Sequence, residues 1–225
     1  MDWDAIRLVS RGVLIFRVDV TGTPMHSSLS DQLPSRNANV SMGRLIARFA
    51  AEAPSILHYE PHALAPLGPT LNPALVAAGG VGYGILPGAA SFLSDIRVLP
   101  GMTREQIEAD LEAFLRRAAA DDPGLDTTLA VEHWLPACEI ATTSPIVAAA
   151  TAAAAHVLGE APPFAAFPGG TDAPHFQVTA GIPTIPSLGP GLLTAAHRPN
   201  ESISLQSIAE ATAIYAETAR RFLDG

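Results

Sequence analysis

Cysteine is nearly absent from this chain, since Cys138 is the only one in 225 residues. A single thiol can form neither an internal disulfide nor a multi-thiolate metal site, which excludes a disulfide-stapled secreted scaffold and a zinc finger. Cys138 reads instead as a small buried hydrophobe. Positive charge is also scarce: 13 Lys and Arg stand against 22 Asp and Glu, a formal net charge of -9. The basic residues are scattered and form no stripe, so a phosphate backbone is repelled and nucleic acid is not an expected partner. Long apolar runs are missing too. The longest candidate, Ile146 to Leu158, is interrupted by Thr151 and His156, falls short of membrane-spanning length, and reads as a packed helix, so no membrane partner is expected. The opening Met1-Asp2-Trp3-Asp4 is acidic where a secretory signal is basic and then apolar. The cytoplasm is the expected compartment.

A hydrophobic content of 48% is enough for a real core in a chain of this length. Gly12 to Gly22 alternates Leu14, Phe16, Val18 and Val20 with Ile15, Arg17, Asp19 and Thr21, the period-two pattern of a half-buried strand. From Asn37 a helical face of Met42, Leu45, Ile46 and Phe49 follows, closed by Pro54. Five prolines between 54 and 74 suggest a loop. Val81 to Leu86 and Ala90 to Leu99 read as two strands joined at Pro87-Gly88. Thr103 with Gln106 forms a capping box ahead of Ile107, Leu111, Phe114 and Leu115, and Thr127 to Trp134 is rich in strand-forming residues. The order predicts an α+β domain over residues 10–136, an antiparallel four-stranded sheet with two helices on one face. Residues 137–225 predict an α/β segment that is incomplete by itself. In it, a helix follows Ser144-Pro145, Val178 to Ile185 is a strand, and a last helix carries Ile208, Ala211, Tyr215, Ala219 and Phe222 on one side.

The histidines are His26, His58, His62, His133, His156, His175 and His197, and no two carry the spacing of a self-contained zinc site. Pro61 lies between His58 and His62 and makes a shared helical face improbable. A serine-hydrolase elbow, a phosphate-binding loop and a dinucleotide fingerprint are all absent. Three polar loop segments stand out: Thr23 to Ser28 just past a strand, Gly169-Gly170-Thr171-Asp172-Ala173, and Ala195 to Glu201 around His197. Each is also the pattern of an ordinary surface turn, and composition alone favours that plainer reading.

Taken in order, the segments resemble a known family. His26-Ser27-Ser28, Asn37-Ala38, Gly79-Gly80, Asp95-Ile96-Arg97 with Leu99-Pro100-Gly101, Gly170-Thr171-Asp172-Ala173, Gly181-Ile182-Pro183-Thr184, Gly189-Pro190-Gly191 and Ala196-His197 through Asn200-Glu201 carry the likeness. They are similar to the zinc-dependent amide hydrolases that include acetylornithine deacetylase, succinyl-diaminopimelate desuccinylase, aminoacylase and carboxypeptidase G. The resemblance implies a lid or dimerisation domain at 10–136 and the C-terminal part of a catalytic domain at 137–225. It also implies a small-molecule substrate, an N-acyl amino acid or small peptide with a free carboxylate, and a homodimer formed through the lid. Two zinc ions serve the complete enzymes. His197 matches a metal ligand, and His26 a lid histidine that donates to the oxyanion in the partner subunit's site. Arg97 matches an arginine that pairs with the substrate carboxylate, and Gly170 and Thr171 match a loop that contacts the same group. The family's other ligand motifs and its proton-shuttling glutamate are not found here, and Gly84 stands where many relatives have asparagine. The expectation is therefore a C-terminal portion that is inactive and zinc-free alone, with a separately encoded N-terminal part as a candidate partner. The alternative is a non-catalytic dimerisation or ligand-binding module derived from that family.

Overall fold

The computed structural model describes residues 3–191, 193–196 and 198–224. In chain order the strands and helices are β1 (Ile6–Ser10), β2 (Gly12–Thr21), β3 (Met25–His26), α1 (Ala38–Ile56), β4 (Thr70–Gly79), β5 (Ile85–Leu86), β6 (Ala89–Val98), α2 (Arg104–Asp121), β7 (Asp126–Leu135), β8 (Cys138–Glu139), α3 (Pro145–Leu158), β9 (Phe164–Phe167) and α4 (Leu205–Asp224). Two compact units result. One comprises Gly12–Pro61 and Leu67–Pro136, the other Met1–Arg11, His62–Pro66 and Ala137–Gly225.

The first unit is an antiparallel sheet of order β4-β6-β2-β7. The alternation along β2 works as expected, with Leu14, Phe16, Val18 and Val20 at most 1% exposed, Ile15, Arg17 and Asp19 half-buried and Thr21 exposed. Both helices pack on the even-numbered face. Phe49 of α1 lies 5.9 Å from Phe16, 5.8 Å from Phe92 and 4.0 Å from Phe114 of α2, ring centre to ring centre, which closes one aromatic core. Helix starts are capped by side chains: that of Asn37 accepts from the Asn39 and Val40 amides, and Thr103 Oγ1 from the Gln106 amide, although the Gln106 side chain donates to Asp110 instead of closing the expected box. Pro54 does not close α1, which runs on to Ile56. The ring forfeits only the bond to the carbonyl of Ala50, an exposed residue.

Two further expectations fail in this unit. The strand beside β6 is Thr70–Gly79 and not Val81 to Leu86. Pro73, read as a loop residue, sits in a bulge where β4 leaves its ladder between Asn72 and Val76, one of the few places a sheet tolerates proline. Of the predicted strand only Ile85–Leu86 is extended, and it pairs with Met25–His26.

The second unit has a sheet of order β8-β1-β9, with β1 antiparallel to β8 and parallel to β9. Its core gathers Trp3, Ile6, Leu8, Val147, Ala153, Ala154, Ala211 and Ile214. The small side chains of α3 let α4 approach closely. Cys138 is buried beside Ser10, Sγ to Oγ 3.2 Å, and burial pushes its thiol up from the ordinary value. Val178 to Ile185 is no strand: a π-helical turn occupies His175–Thr179, and Val178 and Ile182 are exposed. Only Ser187, just beyond, bridges Arg7 of β1. The predicted phase of α4 is also shifted. Ala211, Ile214 and Thr218 are buried, whereas Ile208, Tyr215 and Phe222 are 46–47% exposed.

Candidate functional site

His26 is placed by a short ladder. Gly22 makes the approach possible, because a Cβ there would stand 2.6 Å from the Pro87 carbonyl oxygen and 2.7 Å from that of Arg36. Past this turn Met25 and His26 pair with Leu86 and Ile85, and the Ser27 amide donates to the Gly84 carbonyl at 2.8 Å. The imidazole is exposed. Its Nδ1 accepts from the Ser28 amide at 3.3 Å and lies 2.8 Å from Ser28 Oγ. A backbone N–H can only donate, so Nδ1 is the unprotonated nitrogen and the neutral ring carries its proton on Nε2. That N–H is aimed away from the turn as a hydrogen-bond donor.

Arg97 sits on the face of the first unit's sheet opposite the helices. One guanidinium nitrogen, Nη2, lies 2.8 Å from Asp95 Oδ2, and the side chain is 37% exposed. Arg97 stands opposite Val13 on β2, whereas His26 follows the far end of that strand, where Thr21 pairs with Ala89. Eight strand residues separate the two positions, about 27 Å at roughly 3.4 Å each. Within one copy, no small substrate touches both.

In the second unit, Gly170 and Thr171 follow β9 in a loop, Gly170 exposed and Thr171 half-buried. Thr171 Oγ1 accepts from the Ala173 amide at 3.3 Å, and the Asp172 carbonyl from the His175 amide at 3.0 Å. With its oxygen so used, the Thr171 hydroxyl still has a proton to give to an anion. Phe167, at the end of β9, lines a cleft of about 410 Å³ together with Arg7, Gly189, Ala195, Ala196 and Glu201. Sequence reading missed Arg7, which donates to the Ala166 carbonyl at 2.9 Å. No local signal marks it, because the cleft joins residues nearly 200 positions apart. His197, the predicted metal ligand, lies outside the described residues.

The remaining histidines do not assemble a metal site. His58 Nδ1 lies 2.7 Å from Asp110 Oδ1, and His62 Nε2 lies 3.0 Å from Glu139 Oε2, so each engages its own carboxylate. His133 and His156 are exposed. Among the described residues, no three His, Cys, Asp or Glu come together in a way that could hold a metal ion. Zinc takes three or more protein ligands, so these residues do not by themselves fit one. No helix among them is long and apolar enough to cross a membrane.

The first unit is thus a four-stranded antiparallel sheet with His26 beyond one end of β2 and Arg97 beside the other. Residues 23–221 match the model of peptidase family M20/M25/M40, and the chain belongs to that family. It is similar to acetylornithine deacetylase of Myxococcus xanthus, 24% identical over 96% of this chain and 54% of that one. It is also similar to N-formyl-4-amino-5-aminomethyl-2-methylpyrimidine deformylase of Bacillus subtilis, 29% identical over 64% of this chain and 36% of that one. Among solved structures, an M20 family metallo-carboxypeptidase from Sulfolobus solfataricus superposes with a TM-score of 0.69 at 17% identity, over 98% of this chain and 62% of that one. The chain thus spans about half or less of the length of these curated relatives.

Proposed function

We propose that this chain supplies the substrate-gripping half of an amide hydrolase that acts on N-acyl amino acids or small peptides with a free carboxylate. In this reading the unit of Gly12–Pro61 and Leu67–Pro136 is the lid and dimerisation domain. The other unit is the C-terminal part of a catalytic domain whose zinc is held mainly by residues other than those described here. His26 donates Nε2–H to the oxygen of the amide carbonyl as negative charge builds on it. Arg97 takes the substrate carboxylate, a task suited to a planar fork of donors. Gly170 and Thr171 offer further N–H and O–H donors for the same kind of group. The observation that carries the reading is the tautomer of His26, because Ser28 leaves the ring with its donor outward.

The separation of His26 from Arg97 supports assigning the two to different copies at any one site, and thus supports a homodimer. β4 favours it as well. It is the edge of its sheet, and Leu75 and Val76 on it are 62% and 58% exposed, the kind of edge that a second chain covers. The test is reconstitution. Co-expressed with the metal-binding half of a relative, the chain should support zinc-dependent release of acetate from N-acetyl amino acids. His26→Ala should keep its metal and lose about 10²–10³-fold in kcat. An assembly that binds zinc and substrate yet loses less than threefold on His26→Ala would overturn the assignment.

A further inference from the structure

Asp95 is 5% exposed, yet it stands on the face of the sheet turned away from the helices. A carboxylate buried without partners is costly, and this one keeps both oxygens engaged. Oδ1 accepts from Asn72 Nδ2 at 2.6 Å, and Oδ2 lies 2.8 Å from Arg97 Nη2. Asn72 and Asp95 are cross-strand partners at the point where β4 bulges. There Pro73 to Leu75 face the single residue Ser94, and Ala74 is held at φ 54°, with its amide donating to Ser94 Oγ at 2.9 Å. A non-glycine residue in that region is strained. The strained bulge and the buried acid meet at one arginine.

A second arginine on the same face gives the contrast. Arg17 pairs with Asp19 and Glu132, whose side chains are 43% and 40% exposed. Such surface pairs are screened and let a long side chain swing. Arg97 instead pairs with a carboxylate that is 8% exposed and cannot follow it into solvent. The ion pair is made through Nη2, so Nε and Nη1 keep donors for an incoming group.

We propose that Asp95 is a positioning residue: steadied by Asn72 under the β4 bulge, it fixes the guanidinium of Arg97 so that its remaining donors meet a ligand carboxylate already oriented. This rests on the reading of Arg97 given above. The side-chain order is then set before the ligand arrives, which is how preorganisation raises affinity. The opposite role is also chemically sensible, since Asp95 could merely compete with an anionic ligand for Arg97. The two differ in sign: removing a positioner weakens binding, whereas removing a competitor strengthens it.

The experiment uses the full chain labelled with ¹⁵N, with N-acetylglycine as the ligand probe and N-acetylglycinamide, which lacks the carboxylate, as control. Side-chain Nε–H signals of Arg97 and Arg17 are followed by NMR, and affinity is taken from the titration. In the native chain, N-acetylglycine but not the amide should move the Arg97 signal. Asp95→Asn keeps the shape and removes the charge. It should free the Arg97 signal into the averaged, fast-exchanging region, leave Arg17 unchanged and weaken binding roughly tenfold. Asn72→Ala, which leaves the acid in place, should act in the same direction at about threefold and serves if Asp95→Asn fails to fold. Unchanged or tighter binding in the folded variants, with the Arg97 signal intact, overturns the proposal. An Arg97 signal that ignores N-acetylglycine but is freed by Asp95→Asn upholds the positioning and overturns the carboxylate role of Arg97 instead.

Discussion

Phe49→Ala tests the claim that one aromatic cluster holds the first unit together. Phe49 is fully buried and touches three other rings at 4.0–5.9 Å, so among the described residues it alone joins β2, β6 and α2 through ring contacts. Removing it forfeits about 1.5–3 kcal/mol of transfer free energy. A cavity term follows, about 24 cal/mol for each Å³ that the neighbours fail to fill. Collapse is limited, because Phe114 is also fixed from outside by Arg48 and Arg117, whose guanidinium carbons lie 5.7 and 5.8 Å from its ring centre. The expected total is about 3–5 kcal/mol, against about 1–1.5 kcal/mol for Phe49→Leu. The assay can be confined to the relevant unit. The chain has two tryptophans, Trp3 and Trp134, and only Trp134 lies in this one. Trp3→Phe provides the background, since the Trp3 indole N–H has no hydrogen-bond partner to lose. Urea unfolding followed by Trp134 fluorescence then reports the change at constant slope. A loss below about 1 kcal/mol for Phe49→Ala would mean that the cluster is not the core.

Gly84→Asn should be nearly free of cost, below about 1 kcal/mol, because asparagine tolerates left-handed backbone; Gly84 has φ +73° and a Cβ there would meet nothing within 4 Å. It would also place an amide beside His26. A urea midpoint showing a loss above about 2 kcal/mol would refute the open-space argument. Cys138 should resist thiol reagents at pH 8 in the folded chain, since burial raises its thiol above the ordinary value and keeps it protonated, and should react fast once unfolded. Rapid native-state labelling would refute the burial.

The elements that could be read in the sequence are those whose pattern is complete within a single segment. β2 shows strict alternation, α1 and α2 carry their own caps and apolar faces, and β7 is dense in β-branched residues. What could not be read depends on distant partners. β1 is five residues long and is extended because it lies between β8 and β9, more than 120 positions away in sequence. β4 hides behind Pro73, whose missing N–H costs nothing in a bulge. Val178 to Ile185 has strand composition, but Ser187 makes the only bridge to β1 near it, so hydrophobicity without a ladder left it irregular. The site divides the same way. The cluster after β2 marks His26 locally, but its tautomer follows from Ser28, and the buried pairing of Asp95 with Asn72 follows from a register that no local pattern displays.

On the proposed reading, the sheet of the first unit acts as a spacer between two recognition groups that are each fixed by their own neighbours. Ser28 sets the ring of His26 from within its turn, and Asp95 sets Arg97 from within β6. Neither depends on the other, because about 27 Å of strand lies between them. A spacer of that kind works only if it is stiff, and stiffness here comes from long ladders. β6 pairs with β2 at ten positions without interruption, and the aromatic cluster braces the opposite face. The one departure from regular pairing on β6 is the two-residue excess in β4 at Ser94. It falls next to Asp95. Strain is thus confined to the place where a buried acid must be covered, and the regular ladder between β6 and β2 carries the distance.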